Sequence, residues 1–395
     1  MSRRPIARSP HLSQLLAEGY DIAIRANHLV VRGIPYVTAG KQIREGVLIT
    51  RLSLVDDRAG TPDDHTIFFS GEYPCDQNGR EISGIRCMTQ LWTFGSDLTA
   101  DHQFSAKPVS GNYANYYDKI TTYAALLSGP AQMLDPSVKP NKGSFVAADD
   151  ADDEIFRYLD TASPRAEIME ATAKLECRKI IVIGLGGTGG YVLDLLAKTP
   201  VAEIHLFDGD TFQQHNAFRA PGAASGADLE AEPFKVDYFA SIYSRMRRGI
   251  VPRPVYVDEK NIDELKDADF VFLCIDDGLA KKMIVRSLEG FGIPFIDVGM
   301  GLFMQGGSLG GTVRTTTSTP QKRAHIWDEK RISFAAPDGD NDYNRNIQVA
   351  DLNALNAVLA VIKWKKLCGF YIDLEREHHS TYTIDGDDII NEDVA

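Results

Sequence analysis

The stretch "IIVIGLGGTGGYVLDLL", residues 180–196, passes from an apolar run through a cluster of glycines into an amphipathic segment. A short, continuous run of Ile and Val reads as a strand covered on both faces. Gly184, Gly186 and Gly189 fit G-x-G-x-x-G between that strand and a following helix. Such glycines allow a tight turn and close backbone approach, and the helix start offers N–H groups and partial positive charge to a phosphate. Asp208 lies 24 residues beyond Gly184, at the end of the next apolar run. That is near the spacing of about 20 at which a carboxylate meets ribose hydroxyls.

Working outward, the same rhythm repeats. "KIIVIG" (179–184), "EIHLFD" (203–208), "VPRPVYV" (251–257), "ADFVFLCI" (268–275) and "PFIDVGM" (294–300) read as strands. Helical patterns over 189–199, 233–248 and 278–290 separate several of them, and 349–369 reads as a long apolar helix. Buried strands alternating with helices predict an α/β, Rossmann-like domain with a mostly parallel sheet. Upstream, "NHLVVRGIPYVT", "REGVLITRLSLV" and "DHTIFFSGEYP" are β-rich runs, and 113–134 is helix-like. The expected organisation is a smaller α+β domain over 1–135, a linker over 136–155 rich in Pro, Gly and acidic residues, and the α/β domain over 156–395.

Composition narrows the function classes. A net charge of −13 over 395 residues argues against a broad nucleic-acid-binding face. The five cysteines are odd in number and form no C-x-x-C pair, which fits a reducing compartment and not a disulfide framework or structural zinc site. No run approaches the ~18 apolar residues of a membrane span. The first residues carry arginines without a signal-peptide core, so the expected location is the cytoplasm.

The motif alone does not separate NAD from ATP, but "FDGDTFQQHNAFRAPG" (207–222) does. Asn216 and Arg219 fall in the loop after the second strand, beside the phosphate end of the site. A guanidinium there can fork onto phosphate oxygens and offset the charge of a leaving pyrophosphate. Lys235 opens the next helix within reach of a phosphate. Asp276 stands at the carboxyl end of a strand, where open α/β sheets bind ligands and where a carboxylate can anchor Mg²⁺.

In these four features the chain resembles the ThiF/MoeB adenylyltransferases, whose fold ubiquitin-activating enzymes share. "GLGGTGG" (184–190), "DGDTFQQHNAFR" (208–219), "PFK" (233–235) and "CIDDG" (274–278) match the family's motifs in order. The resemblance implies ATP- and Mg-dependent adenylation of a carboxylate, usually the C-terminal glycine of a ubiquitin-like protein. It assigns nucleotide binding to Gly184, Gly186, Gly187, Gly189, Asp208 and Asp210. Asn216, Arg219 and Lys235 would act on the phosphates, Asp276 would hold magnesium, and the domain would pair as a homodimer. The family's helical arginine, which serves the partner subunit's ATP, has its nearest counterpart in Arg165.

The chain also departs from the family. Ala220 replaces a glutamine, the zinc-binding C-x-x-C pairs are missing, and no cysteine falls in 312–348, where a thioester nucleophile would lie. Activation therefore either stops at the adenylate or passes to a hydroxyl. "RTTTSTPQKR" (314–323), read as a polar loop, offers Thr317 and Ser318. The extra N-terminal domain resembles the arrangement in bacterial ubiquitin-like conjugation operons, which implies docking of a ubiquitin-like protein or a conjugating enzyme. Two alternatives stand beside this reading: adenylation of a small-molecule or tRNA-linked carboxylate, and an NAD-dependent oxidoreductase.

Overall fold

A computed structural model describes residues 4–55, 58–95, 98–141, 155–158, 160, 162–166, 168–335 and 347–394. The chain divides into two units, Met1–Ala173 and Lys174–Ala395.

In the first unit, helices α1 (Arg4–Ala7) and α2 (Pro10–Ala17) precede β1 (Asp21–Arg25), β2 (His28–Val37) and β3 (Ile43–Arg51). A small hairpin, β4 (Leu54–Val55) with β5 (Arg58–Ala59), leads to β6 (Thr66–Ser70), β7 (Arg86–Thr93) and β8 (Thr99–Ser105). The six longer strands form one antiparallel sheet in the order β1-β2-β3-β6-β8-β7. Ala26 and Asn27 take φ of 45° and 59° between β1 and β2, the left-handed pair that a two-residue hairpin turn needs. Helix α3 (Tyr116–Leu134) starts where the Asn115 side chain accepts the Asp118 N–H, and it lays Tyr116, Ile120, Tyr123 and Leu127 on the sheet. The short helices α4 (Ala162–Arg165) and α5 (Met169–Ala173) complete the unit. Residues 142–154 of the expected linker lie outside the described residues.

The second unit opens with β9 (Lys179–Ile183), α6 (Gly187–Leu196) and β10 (Glu203–Phe207). There follow α7 (Gln214–Ala217), α8 (Gly226–Glu230), α9 (Lys235–Tyr243), β11 (Ile250–Arg253), β12 (Phe270–Leu273) and α10 (Gly278–Phe291). The remainder is β13 (Phe295–Gln305), β14 (Ser308–Ser318), α11 (Ala324–Asp328), α12 (Ala350–Leu367), β15 (His379–Thr383) and β16 (Asp388–Glu392). One eight-stranded sheet runs β11-β10-β9-β12-β13-β14-β15-β16. It is parallel from β11 to β13 and antiparallel from β13 to β16. Ile180 and Val182 of β9 join a core with Leu193, Leu196 and Trp364, while Ile181 and Ile183 join another with Ile284 and Leu288. Burial on both faces explains the unbroken apolar run.

Two expectations are corrected. The strand anticipated over 251–257 ends at Arg253, because Pro252 and Pro254 confine it to the sheet edge. The first half of the anticipated polar loop at 314–323 is instead strand. Antiparallel β14 runs to Ser318, and its β-branched Thr312, Thr315 and Thr316 pair with both β13 and β15.

Candidate functional site

The glycine loop joins β9 to α6, and its glycines meet different demands. Gly184 takes φ of +88°, and a Cβ there would lie 2.7 Å from the Cys274 carbonyl oxygen and 2.8 Å from Ile275 Cγ2. The loop is thus pressed against the segment that leaves β12 just before Asp276. A Cβ on Gly189 would strike the Gly184 carbonyl oxygen, and one on Gly187 would strike the Asn353 amide. At Gly186, which caps α6, a Cβ would point into open space. The start of α6, where helix N–H groups lack partners within the helix, is thus uncrowded at this position.

Asn353 is fully buried on α12. Its Oδ1 accepts a hydrogen bond from Thr188 Oγ1 (2.9 Å), and its Nδ2 donates to the Arg219 carbonyl (3.5 Å). One side chain therefore ties the start of α6 to the loop that carries Arg219. Nε of Arg219 is buried without a hydrogen-bond partner. Leaving such a group unpaired costs on the order of 1–3 kcal/mol. Asn216 spends its amide locally: Oδ1 accepts the Gln213 N–H (2.9 Å), and Nδ2 lies 3.2 Å from His215 Nε2.

At the end of β10, the buried Asp208 carboxylate accepts the N–H of Leu185 (2.6 Å) and of Asp210 (2.9 Å). Burial pushes its carboxyl up, against the pull of Lys235 and the two N–H donors. Lys235 Nζ lies 3.8 Å from Asp208 Oδ1 and donates to Asp210 Oδ2 at 2.5 Å. Tyr256 donates its hydroxyl to the other Asp210 oxygen. Burial alone would raise the Asp210 carboxyl, but the Lys235 and Tyr256 hydrogen bonds outweigh it and hold it below the usual carboxylate range. The bond to Asp210, with some burial, pushes the Tyr256 phenol up to about 12. Its ring would be struck by a Cβ on Gly209.

Asp276 is exposed between β12 and α10, while its neighbour Asp277 caps α10 by accepting the Leu279 and Ala280 N–H groups (2.9 and 3.1 Å). The fold thus gathers Gly184–Gly189, Asp208, Asp210, Asn216, Arg219 and Lys235 around one end of the parallel strands. It brings the segment before Asp276 against the same loop. Arg165 ends α4, and its side chain lies outside the described residues. Thr317 and Ser318 are 2% and 0% exposed inside β14, and the Thr317 N–H is bonded to the His378 carbonyl (2.7 Å). Neither hydroxyl is presented to an acyl group arriving from solvent. Burial pushes the Cys274 thiol up, which leaves it a core residue. Among the described residues no cluster of His, Cys, Asp and Glu could hold a metal unaided, and no helix is long and apolar enough to cross a membrane.

Sequence reading missed Tyr256 and Asn353. Tyr256 was absorbed into an over-long strand. Asn353 and Asn356 were the available signal for the other: two amides in an otherwise apolar helix pattern, both buried and both hydrogen-bonded.

Comparison with known proteins adds an independent line. Residues 10–161 match a domain of unknown function, DUF6791, and residues 162–352 match the ThiF family. No curated protein sequence matches the chain. Among solved structures, E. coli MccB with MccA-N7isoASN is 16% identical with a TM-score of 0.44, the match covering 57% of this chain and 66% of that one. E. coli MccB with ATP is 16% identical with a TM-score of 0.44, covering 60% and 68%. PaaA is 15% identical with a TM-score of 0.45, covering 57% and 76%. The chain thus spans about two thirds of the length of the MccB chains it resembles. Residues 162–352, just under half of the chain, thus carry the match to the ThiF family.

Proposed function

We propose that residues 156–395 bind ATP with magnesium and adenylate the C-terminal carboxylate of a ubiquitin-like protein, with residues 1–135 docking that protein or a conjugating enzyme. The observation that carries this reading is the buried, unpartnered Nε of Arg219, in a loop tethered by Asn353 to the first turn of α6. A polyphosphate laid along that turn satisfies the guanidinium and the α6 N–H groups together. A dinucleotide site has no comparable need for the arginine.

In this reading Asp208 uses its remaining lone pairs on the ribose hydroxyls. Lys235 exchanges part of its contact with Asp210 for phosphate oxygen. Asp276, an exposed carboxylate, is the kind of group that holds Mg²⁺ together with substrate phosphates, and the ion would offset phosphate charge there. The substrate carboxylate oxygen attacks the α-phosphorus, and the bond to the pyrophosphate oxygen breaks. Arg219 and Lys235 balance the charge that gathers on the leaving group, so catalysis rests on position and charge. With Thr317 and Ser318 buried, the activated acyl group stays on the adenylate until an acceptor takes it. The domain acts as a homodimer, and Arg165 reaches the nucleotide of the second copy.

ATP–pyrophosphate exchange by the full chain, with Mg²⁺ and ubiquitin-like proteins from the same source, tests this. Exchange should require the partner's C-terminal glycine and fall about a hundredfold or more in Asp276→Ala and Arg219→Met. Arg219→Met should not lower the melting temperature, since it removes a buried group that lacks a partner. Absence of exchange with every such protein would overturn the reading in favour of small carboxylates or NAD.

A further inference from the structure

We infer that the concave site between α7 and α8 binds a basic side chain, a lysine or arginine, from the tail of the polypeptide being activated. A tail is placed there only by the adenylation reading above, on which this inference rests. The site has a volume of about 730 Å³ and is lined by His215, Phe218, Leu229, Glu230 and Glu232 together with two glutamines. Phe218 is 79% exposed, an unusual position for a phenylalanine that covers no core. Glu230 and Glu232 are both exposed, and neither has an ion-pair partner among the described residues. Glu232 is held at φ 41°, a left-handed conformation that costs a non-glycine residue on the order of 1 kcal/mol.

These groups select a ligand by chemistry. Two uncompensated carboxylates repel phosphate, so this is not a second berth for the nucleotide. An open ring flanked by carboxylates suits a cation with an aliphatic stem. The stem lies along Phe218 and Leu229, the head meets Glu230 and Glu232, and the ring face adds a cation–π contact. The site also adjoins the chemistry. His215 lines it and touches Asn216, and Phe218 immediately precedes Arg219. A tail whose carboxylate approaches the phosphates therefore has a basic side chain within reach of the site when that residue lies a few positions upstream.

Anisotropy of a short fluorescent peptide ending in a free glycine carboxylate tests this with the full chain. One version carries an arginine near its end, and the other carries citrulline, which keeps the shape and loses the charge. The arginine peptide should bind about tenfold more tightly. The preference should vanish in the Glu230→Gln/Glu232→Gln double variant, shrink in Phe218→Ala and persist in Asp276→Ala. Equal binding of the two peptides, or a preference indifferent to all three lining positions, overturns the inference. So does a double variant that turns a dimer into a monomer without changing the preference, because the site would then be a contact between copies. Pyrophosphate exchange measured in parallel separates the two readings. Exchange without arginine preference removes this inference alone, whereas arginine preference without exchange removes adenylation and keeps the site.

Discussion

The two halves of the eight-stranded sheet both bury charge, and they use it differently. In the parallel half, Arg219 keeps an unpartnered buried nitrogen, and Lys235 is shared between Asp208 and Asp210. In the antiparallel half, Asp297 is fully buried on β13, 2.9 Å from Lys281 Nζ and 2.7 Å from Arg314. Arg314 also donates to Thr316 Oγ1 (2.6 Å), which lies 3.0 Å from His379 Nδ1. Both cations of that set have their carboxylate, although Asp297 Oδ1 meets Lys281 only as an ion pair and makes no hydrogen bond. The Arg219 nitrogen of the first set has neither kind of partner among the described residues. A carboxylate shared by two cations fixes register and position, while a buried guanidinium nitrogen with no acceptor leaves room for one from a ligand. The two meet on α10, where Asp277 caps the helix and Lys281, one turn on, pairs with Asp297.

The sharpest way to break this contrast is Asp297→Asn. It leaves the buried Lys281 and the half-buried Arg314 without their shared carboxylate, and removing one partner of a buried ion pair costs about 3–5 kcal/mol. Urea unfolding should show a loss of that order. A change below about 1 kcal/mol would mean that the carboxylate does not hold the two cations and that water or relaxation already supports them.

A second test contrasts two glycines in one loop. Gly189→Ala drives a methyl group into the Gly184 carbonyl oxygen, and overpacking of this kind costs about 1–3 kcal/mol. Gly186→Ala meets no atom of the chain, and exchanging Gly for Ala at a helix N-cap costs only a few tenths to about 1 kcal/mol. Gly189→Ala should therefore lower the melting temperature in the absence of any ligand. Gly186→Ala should leave it nearly unchanged while weakening ATP binding, as calorimetry would show. If both variants bind ATP as the parent does, the phosphates do not cross Gly186.

The parallel half was the legible half, for a physical reason. A strand, a glycine turn and a helix must follow one another within a few residues, so Gly184, Gly186, Gly189 and Asp208 carry their geometry in their spacing. Lys235 is legible in the same way, as the residue that opens a helix after a strand. Asn353 reaches the same loop from 165 residues away, a distance at which no spacing rule applies. The antiparallel half misled because "RTTTS" is polar by composition while threonine is β-branched by shape. In the sheet, Thr315, Thr316, Thr317 and Ser318 are all buried, the first two paired with β13 and β15 and the last two with β13. Strands β15 and β16 went unread as well, since "HSTYT" and "DIINE" show little apolar alternation to mark them.

The smallest expected effect follows from the histidine at the end of the network around Asp297. Burial, helped by Arg331 and Arg314, lowers His379 from its ordinary 6.5 to about 4, against the opposing pull of Glu392 and Asp393. His378 and His325 are lowered as well, again mainly by burial. A histidine kept neutral in the fold but free to protonate when unfolded makes the unfolded state bind more protons between those two values. Stability therefore falls as pH drops from 6.5 toward 4, and a single histidine can contribute at most about 1.4 kcal/mol per pH unit. Replacing His379 by glutamine removes one such proton and should flatten the pH dependence of the urea midpoint between pH 6.5 and 5. His378 and His325 would supply the slope that remains. An unchanged slope would show that His379 already protonates in the folded chain, and that the antiparallel half is as open at this end as the parallel half is at Arg219.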